Sequence, residues 1–226
     1  MRTRVDRPED LSTEDVDELY RFFCGSFEAE RVGFELDLRE KDRVLRVWGD
    51  SGLAAFSTLL LFRPSPRYRV FYSGDTLTRG EARLGHHLPS LWARYVFQEV
   101  APEKGVEDYW LLLCSGFRTY RILPTFFQRF YPGPEGSLEL QGLRDDWASV
   151  RFGEAYSKGI VRPRFATVLK DPEPPARLVG DPHVRFFREA NPGYARGEEL
   201  VCLVSLDPNY LKPAGRRLAF SKTTVS

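Results

Sequence analysis

The chain has 226 residues, of which 42% are hydrophobic and 29% charged, with a formal net charge of +1. That balance excludes wholesale disorder and gives no global attraction to nucleic acid or an acidic membrane, and the length suits one large domain or a domain with an extension. The 17 phenylalanines predict an aromatic-rich core.

Cys24, Cys114 and Cys202 are far apart and odd in number, which implies neither a disulfide framework nor a zinc site, and no metal is expected. Cys114 and Cys202 lie in apolar runs (WLLLCS and LVCLVS), where a thiol packs as a small hydrophobe. The opening MRTRVDRPEDLS has no apolar stretch after its basic residues, and no apolar run is long enough to span a bilayer. The expected location is cytoplasmic.

Residues Met1 to Leu11 are charged and contain Pro8, and read as a loose leader. Ser12 then has the chemistry of a helix N-cap, with Glu14 and Asp15 in the first turn, where the dipole favours acids. Val16, Leu19, Tyr20 and Phe23 follow at helical spacing and predict a helix to about Phe27. From Glu28 to Lys41 the pattern is ambiguous. Phe34, Leu36 and Leu38 alternate with Glu35, Asp37 and Arg39 as in a half-exposed strand, and a helix is the alternative. Val44 to Trp48, the turn Gly49-Asp50-Ser51-Gly52, and Leu53 to Phe62 predict a hairpin, broken at Arg63-Pro64-Ser65-Pro66-Arg67 because proline cannot donate to a ladder.

The next stretch predicts a strand (Arg69 to Thr78), a polar turn (Arg79 to His87), a helix (Leu88 to Val100), a strand (Asp108 to Ser115) and a helix (Arg118 to Tyr131). A β-α-β-α unit of this kind joins parallel strands and places a site at their carboxyl ends. Within its first strand, Ser73-Gly74-Asp75-Thr76 puts small polar residues where strand interiors disfavour Gly and Asp, which points to a bulge or a close backbone approach. Asp75 is accordingly either a general base toward an amine or a buried structural carboxylate.

A helix, an antiparallel meander and then β-α-β-α is an order that resembles the GNAT (N-acetyltransferase) superfamily, over roughly residues 12 to 132. The resemblance implies an α/β fold with a mixed sheet, in which an acyl-thioester cofactor lies between two splayed strands. It implies an N-acyltransferase that moves an acyl group from acyl-CoA, or from an acyl carrier protein, to an amine of a small molecule or peptide. Members carry Q/R-x-x-G-x-G/A after the first of those strands, and its backbone N–H groups cradle the pyrophosphate. Here the text is Arg79-Gly80-Glu81-Ala82-Arg83-Leu84-Gly85-His86-His87, whose arginines do not stand at that spacing. The departure leaves room for an acyl-carrier-protein donor or for none.

By the same resemblance Leu77, Thr78, Arg79, Arg83, Gly85, His86 and Arg118 would hold the cofactor. Members also place a tyrosine on the last core helix as acid to the departing thiolate, at a position where this chain has Phe127. Tyr120 and Tyr131 are the hydroxyls near enough in sequence to substitute, unless both are half-buried tyrosines with satisfied O–H groups. The N-terminal layout looks somewhat like that of acyl-homoserine-lactone and N-acyl amino acid synthases, in Tyr20-Arg21-Phe22-Phe23, Asp37, Asp42 and Phe56-Ser57-Thr58. The alternative is a GNAT-like protein without catalysis that binds a ligand or a partner.

Beyond Pro132 the composition changes. Leu138 to Tyr156 predicts a helix, His183 to Ala190 a shorter one, and Glu199 to Leu206 a strand that joins the main sheet. Residues 1–132 are thus expected to form the core and 133–226 an accessory region packed on it, with a loose tail after Arg217.

Overall fold

The computed structural model describes residues 1–78, 87–162 and 167–220. In chain order the elements begin with β1 (Arg2–Asp6), α1 (Thr13–Phe23), β2 (Phe27–Ala29) and α2 (Arg31–Arg39). The meander β3 (Arg43–Gly49), β4 (Gly52–Ser65) and β5 (Tyr68–Thr78) follows. Next come α3 (His87–Arg94), β6 (Glu107–Cys114), α4 (Phe117–Tyr120), α5 (Ile122–Phe126) and β7 (Phe130–Tyr131). The rest comprises α6 (Leu138–Phe152), β8 (Tyr156–Ser157), β9 (Ile160–Val161), β10 (Thr167–Leu169), α7 (Pro182–Ala190), β11 (Glu199–Ser205) and α8 (Pro213–Phe220).

The main sheet runs β1-β3-β4-β5-β6-β11-β9-β8, with β7 also on β11, while β2 and β10 form a separate pair. Among the described strands every pairing is antiparallel except β5 with β6. The sheet is mixed, as expected, and the apolar run Leu200 to Val204 joins it as part of β11, beside β6.

Strand alternation gives the sheet two different faces. The first face carries Leu45, Ala55, Leu59, Phe71, Trp110, Cys114 and Cys202, covered by α3, α4, α5, α7 and α8 in one continuous apolar core. On the second face the apolar cover is split. Val44, Phe56 and Leu77 pack under α1 and α2, whereas Val70, Tyr72, Leu111, Val201 and Leu203 pack under α6. A seam runs between these clusters, bridged at the surface by Arg151 of α6 donating to Glu40 at 2.7 Å.

Several expectations require correction. The loose leader is β1, an edge strand tied down by the buried Asp6, whose carboxylate meets Arg46 of β3 at 2.8 Å. The ambiguous segment is mostly helix: Phe34 and Leu38, one turn apart, go to the core, and Leu36 faces solvent. Strand β4 runs through Pro64 to Ser65, with a register shift after Phe62.

The single helix expected from Arg118 to Tyr131 is two short helices meeting at Arg121, followed by β7. Pro124 has no N–H to extend a ladder, and Phe127 leaves the second helix in an extended conformation. The tail after Arg217 continues in α8 to Phe220. Ser12 does cap α1, through reciprocal bonds with Asp15.

Candidate active site

Strands β5 and β6 pair in parallel from Tyr68↔Glu107 to Ser73↔Leu112 and then part. Beyond that point β5 stays on β4 through Thr76, Leu77 and Thr78, while Leu113 and Cys114 of β6 stay on β11. The facing edges from Gly74 and from Leu113 are therefore not paired with one another, which opens the sheet at the carboxyl ends of its parallel pair.

Asp75 stands at this opening because β5 bulges there. Ser57 of β4 pairs with Thr76 and Leu59 with Ser73, so two residues, Gly74 and Asp75, oppose Thr58 alone. The polar run expected to break the strand pattern is this bulge. Ser73 faces the first core, where its hydroxyl accepts from the Trp110 indole at 2.7 Å, and Thr76 shares a hydrogen bond with Ser57 at 2.8 Å. Those two residues are thereby satisfied within the sheet. Asp75 has no such partner and is only half-buried.

Around it the second-face seam collects ionisable groups from four other segments. Glu199, the first residue of β11, accepts a hydrogen bond from the Ser115 hydroxyl at 2.5 Å. Lys41, between α2 and β3, has a fully buried side chain. Its ammonium meets the Asp37 carboxylate at 2.5 Å and the Asp37 carbonyl at 3.0 Å, an i, i+4 contact that exists because this segment is helical. Tyr72, one residue before Ser73, contributes a ring with the Lys41 ammonium and the Arg151 guanidinium each 5.5 Å from its centre.

The electrostatics follow from having more acids than cations in a partly buried place. Burial pushes the Asp75 carboxyl up to about 8, with Asp37 and Glu199 adding to the rise and Lys41 opposing it. Burial likewise pushes Glu199 up to about 7, opposed by the Ser115 hydrogen bond and by Lys41 and reinforced by Asp37. The Tyr72 hydroxyl is raised well above its ordinary value, by burial first and by the nearby acids next. Two carboxyls that titrate near neutrality, at an opening between strands, form a site able to take a proton from an amine.

The remaining sequence candidates fall elsewhere. Tyr120 is fully buried in the first core, on the other face of the sheet from Asp75, and donates its hydroxyl to the Pro132 carbonyl at 3.1 Å. Its hydroxyl is satisfied and shielded, so it is not the acid for this site. Tyr131 lies on the second face but beyond β11, paired with Leu203, four positions along the strand from Glu199, and the Arg144 guanidinium covers its ring at 4.7 Å. Leu77 is buried under α1 and α2 and offers no side-chain group to a cofactor, and Thr78 is exposed where β5 ends. Arg118 is exposed, with Asp171 at 4.0 Å. Arg79, Arg83, Gly85 and His86 lie outside the described residues.

Sequence reasoning reached Asp75 through its conflict with strand propensity and named Asp37 only for the synthase-like layout, but missed Glu199, Lys41 and Tyr72. Glu199 reads as the polar start of a strand, and only the insertion of β11 beside β6 carries it to the opening. The signal for Lys41 and Asp37 was their four-residue spacing, visible once that segment is read as a helix. Among the described residues no group of three His, Cys, Asp or Glu side chains is arranged to hold a metal, and no helix is long and apolar enough to cross a membrane.

No family model and no curated protein matches the chain. Among solved structures it is similar to a conserved protein of unknown function from Enterococcus faecalis V583, called a probable N-acyltransferase. That match has 17% identity and a TM-score of 0.41, over 57% of this chain and 33% of that one, so the chain spans about a third of that protein's length. It is also similar to an acyl-CoA N-acyltransferase from Pseudomonas aeruginosa, at 16% identity and a TM-score of 0.39, over 59% of this chain and 92% of that one.

Proposed function

We propose that the chain is an N-acyltransferase, moving an acyl group from an acyl-CoA thioester to a primary amine of a small molecule or peptide. One observation carries this reading: two carboxyls held near neutral titration stand where the parallel strands β5 and β6 part. The amide groups of a thioester arm are matched to the N–H and C=O groups along two strand edges that part from one another, which an extended chain can bond. Held there, the thioester carbonyl lies beside Asp75 and Glu199.

In the reaction, the ammonium of the acceptor gives a proton to the Asp75–Glu199 pair. The free amine then attacks the thioester carbon, the C–N bond forms, the C–S bond breaks, and the thiolate leaves with the carrier. The second amine proton passes to the carboxylates or to solvent. The protein's contribution is proximity and a base of matched strength, the latter contributing roughly 10²–10⁴-fold. The thiolate is a good leaving group, so the displacement of Tyr120 from the site does not block the scheme.

The pH dependence follows from the direction of the shifts. Because the base must be deprotonated, kcat/KM rises with pH as the acid pair titrates between about 7 and 8, and levels above that. The test is release of free thiol from acetyl-, octanoyl- and palmitoyl-CoA with a panel of amines, run beside a thermal-shift series with the same thioesters and an acylated carrier protein. Amine-dependent thiol release with a neutral-to-alkaline rise supports the reading. Absence of both thiol release and any thermal shift overturns it. A shift with the acylated carrier protein alone would replace acyl-CoA as donor.

A further inference from the structure

Resting on the reading above, we infer that Lys41 is a positioning residue: the buried cation that holds the Asp75–Glu199 pair in its working charge state, with Thr58 as its vacant second partner. Three observations of geometry carry this. The Lys41 side chain is fully buried, although lysine is rarely so placed unless it is paired, and among the described residues its ammonium bonds the carboxylate and carbonyl of Asp37 and lies over the Tyr72 ring. It also lies hard against the bulge. A Cβ added at Gly74 would stand 3.1 Å from its Cε and 3.5 Å from its Nζ.

The third observation is Thr58. Its Oγ1 is wholly buried without a hydrogen-bond partner and lies 3.2 Å from that same Gly74 point. An orphaned buried hydroxyl is costly and calls for an explanation. A short swing of Nζ away from Asp37 brings it toward Thr58 and the bulge that carries Asp75. Glycine at 74 is what leaves both groups that close to the strand.

The surrounding charges are consistent with this role. Facing the pair are Asp37 from α2, Tyr72 from β5, Ser115 after β6 and Lys41 itself. Of these Lys41 is the cation that favours ionisation of both Asp75 and Glu199. Arg151 reaches Tyr72, but its guanidinium is bonded to Glu40.

The experiment is a carboxyl-carbon NMR titration of the full chain, read without any acyl donor. In Lys41→Met the midpoints of both Asp75 and Glu199 are expected to rise by about one pH unit or more, as loss of a nearby charge at intermediate effective dielectric implies. Lys41→Arg, which keeps the charge, should restore most of that shift. Gly74→Ala, which crowds the lysine arm without removing it, should raise both midpoints by less, and it serves if Lys41→Met does not fold.

Thr58→Val should move the midpoints in the same direction. If it instead raises the melting point and leaves both titrations unchanged, the hydroxyl is idle and the second position is refuted. Unchanged midpoints in Lys41→Met or, where that variant does not fold, in Gly74→Ala overturn the inference as a whole. Shifted midpoints in a chain that releases no thiol from any thioester would overturn the acyltransferase reading and leave the charge-setting role of Lys41 standing.

Discussion

Two buried cations sit on the same face of the sheet, and they are used in opposite ways. Arg46 of β3 is almost completely buried, and its planar fork is filled: Nε and Nη2 meet Asp6 at 3.0 and 2.8 Å, and Nη1 bonds Asp15. Burial alone would raise the Asp15 carboxyl, but hydrogen bonds from Arg46 and from the Ser12 backbone bring it below its usual range. Lys41 is equally buried, but the acids around it outnumber it, and Asp75 and Glu199 are raised instead of lowered. The first cluster is closed and ties β1 and α1 to the sheet. The second has spare proton-binding capacity beside an opening. The sign of the carboxylate shift, more than burial, is what distinguishes the two clusters.

The sharpest way to break this comparison is to remove one member from each cluster. Arg46→Met strands Asp6 as an uncompensated buried charge, and chemical denaturation should show a loss of about 3–5 kcal/mol. Acyl transfer per folded molecule should be unchanged. Asp75→Asn should do the reverse, lowering kcat by roughly 10²-fold or more. Its stability follows from linkage. A carboxyl whose folded value is about 8 binds its proton more tightly in the folded than in the unfolded chain. That contribution is fully present below the ordinary value near 3.8 and is lost as pH rises toward 8. Wild type therefore loses stability over that interval and Asp75→Asn loses less, so the variant gains relative stability as pH rises. If Asp75→Asn instead unfolds the chain at neutral pH as Arg46→Met does, the two clusters are alike and the distinction fails.

A smaller effect probes the surface seam between the clusters. The Arg151–Glu40 pair is partly exposed, and Glu40→Gln should cost under about 1 kcal/mol, diminishing in high salt. A much larger loss would mean that the seam is structural throughout.

The division between the two clusters was only partly legible in the sequence. Asp75 announced itself because Gly and Asp interrupt a run of strand formers, and a local conflict of that kind is a signal readable without a structure. The antiparallel meander and the β-α-β crossover were legible from alternation and turn chemistry, and so was the strand from Glu199. What was not legible was convergence. Glu199 lies 124 positions after Asp75 in the chain, and only the insertion of β11 next to β6 brings them together.

The N-terminal misreading has the same origin. Arg2 to Asp6 look like solvated charge, but Asp6 finds Arg46 forty residues on, and Arg2 lies over the Trp48 ring at 4.1 Å. Tertiary pairing overrode local composition there. The tyrosines failed as candidates for a related reason: spacing on a helix that was expected to be continuous placed Tyr120 near the site, and the break at Arg121 with the extended turn at Phe127 removed the basis for that placement.

Tyr120 gives the smallest expected effect and the most specific check on the two faces. Its hydroxyl donates to the Pro132 carbonyl within the first core, its ring stacks on Phe186, and burial pushes its pKa well above the ordinary tyrosine value. Tyr120→Phe keeps the ring and deletes one buried hydrogen bond, leaving a carbonyl oxygen in need of a partner. A loss of about 1 kcal/mol in folding stability is expected, read as a shift in the denaturation midpoint at constant slope. The kcat and its pH profile should be those of wild type, because the sheet stands between this hydroxyl and the opening at Asp75. A hundredfold fall in kcat with normal stability would require a thiolate, and hence the thioester, to reach the first core. In that case the apolar face would hold the chemistry, and the acid cluster around Lys41 would have to be read as the second structural tie.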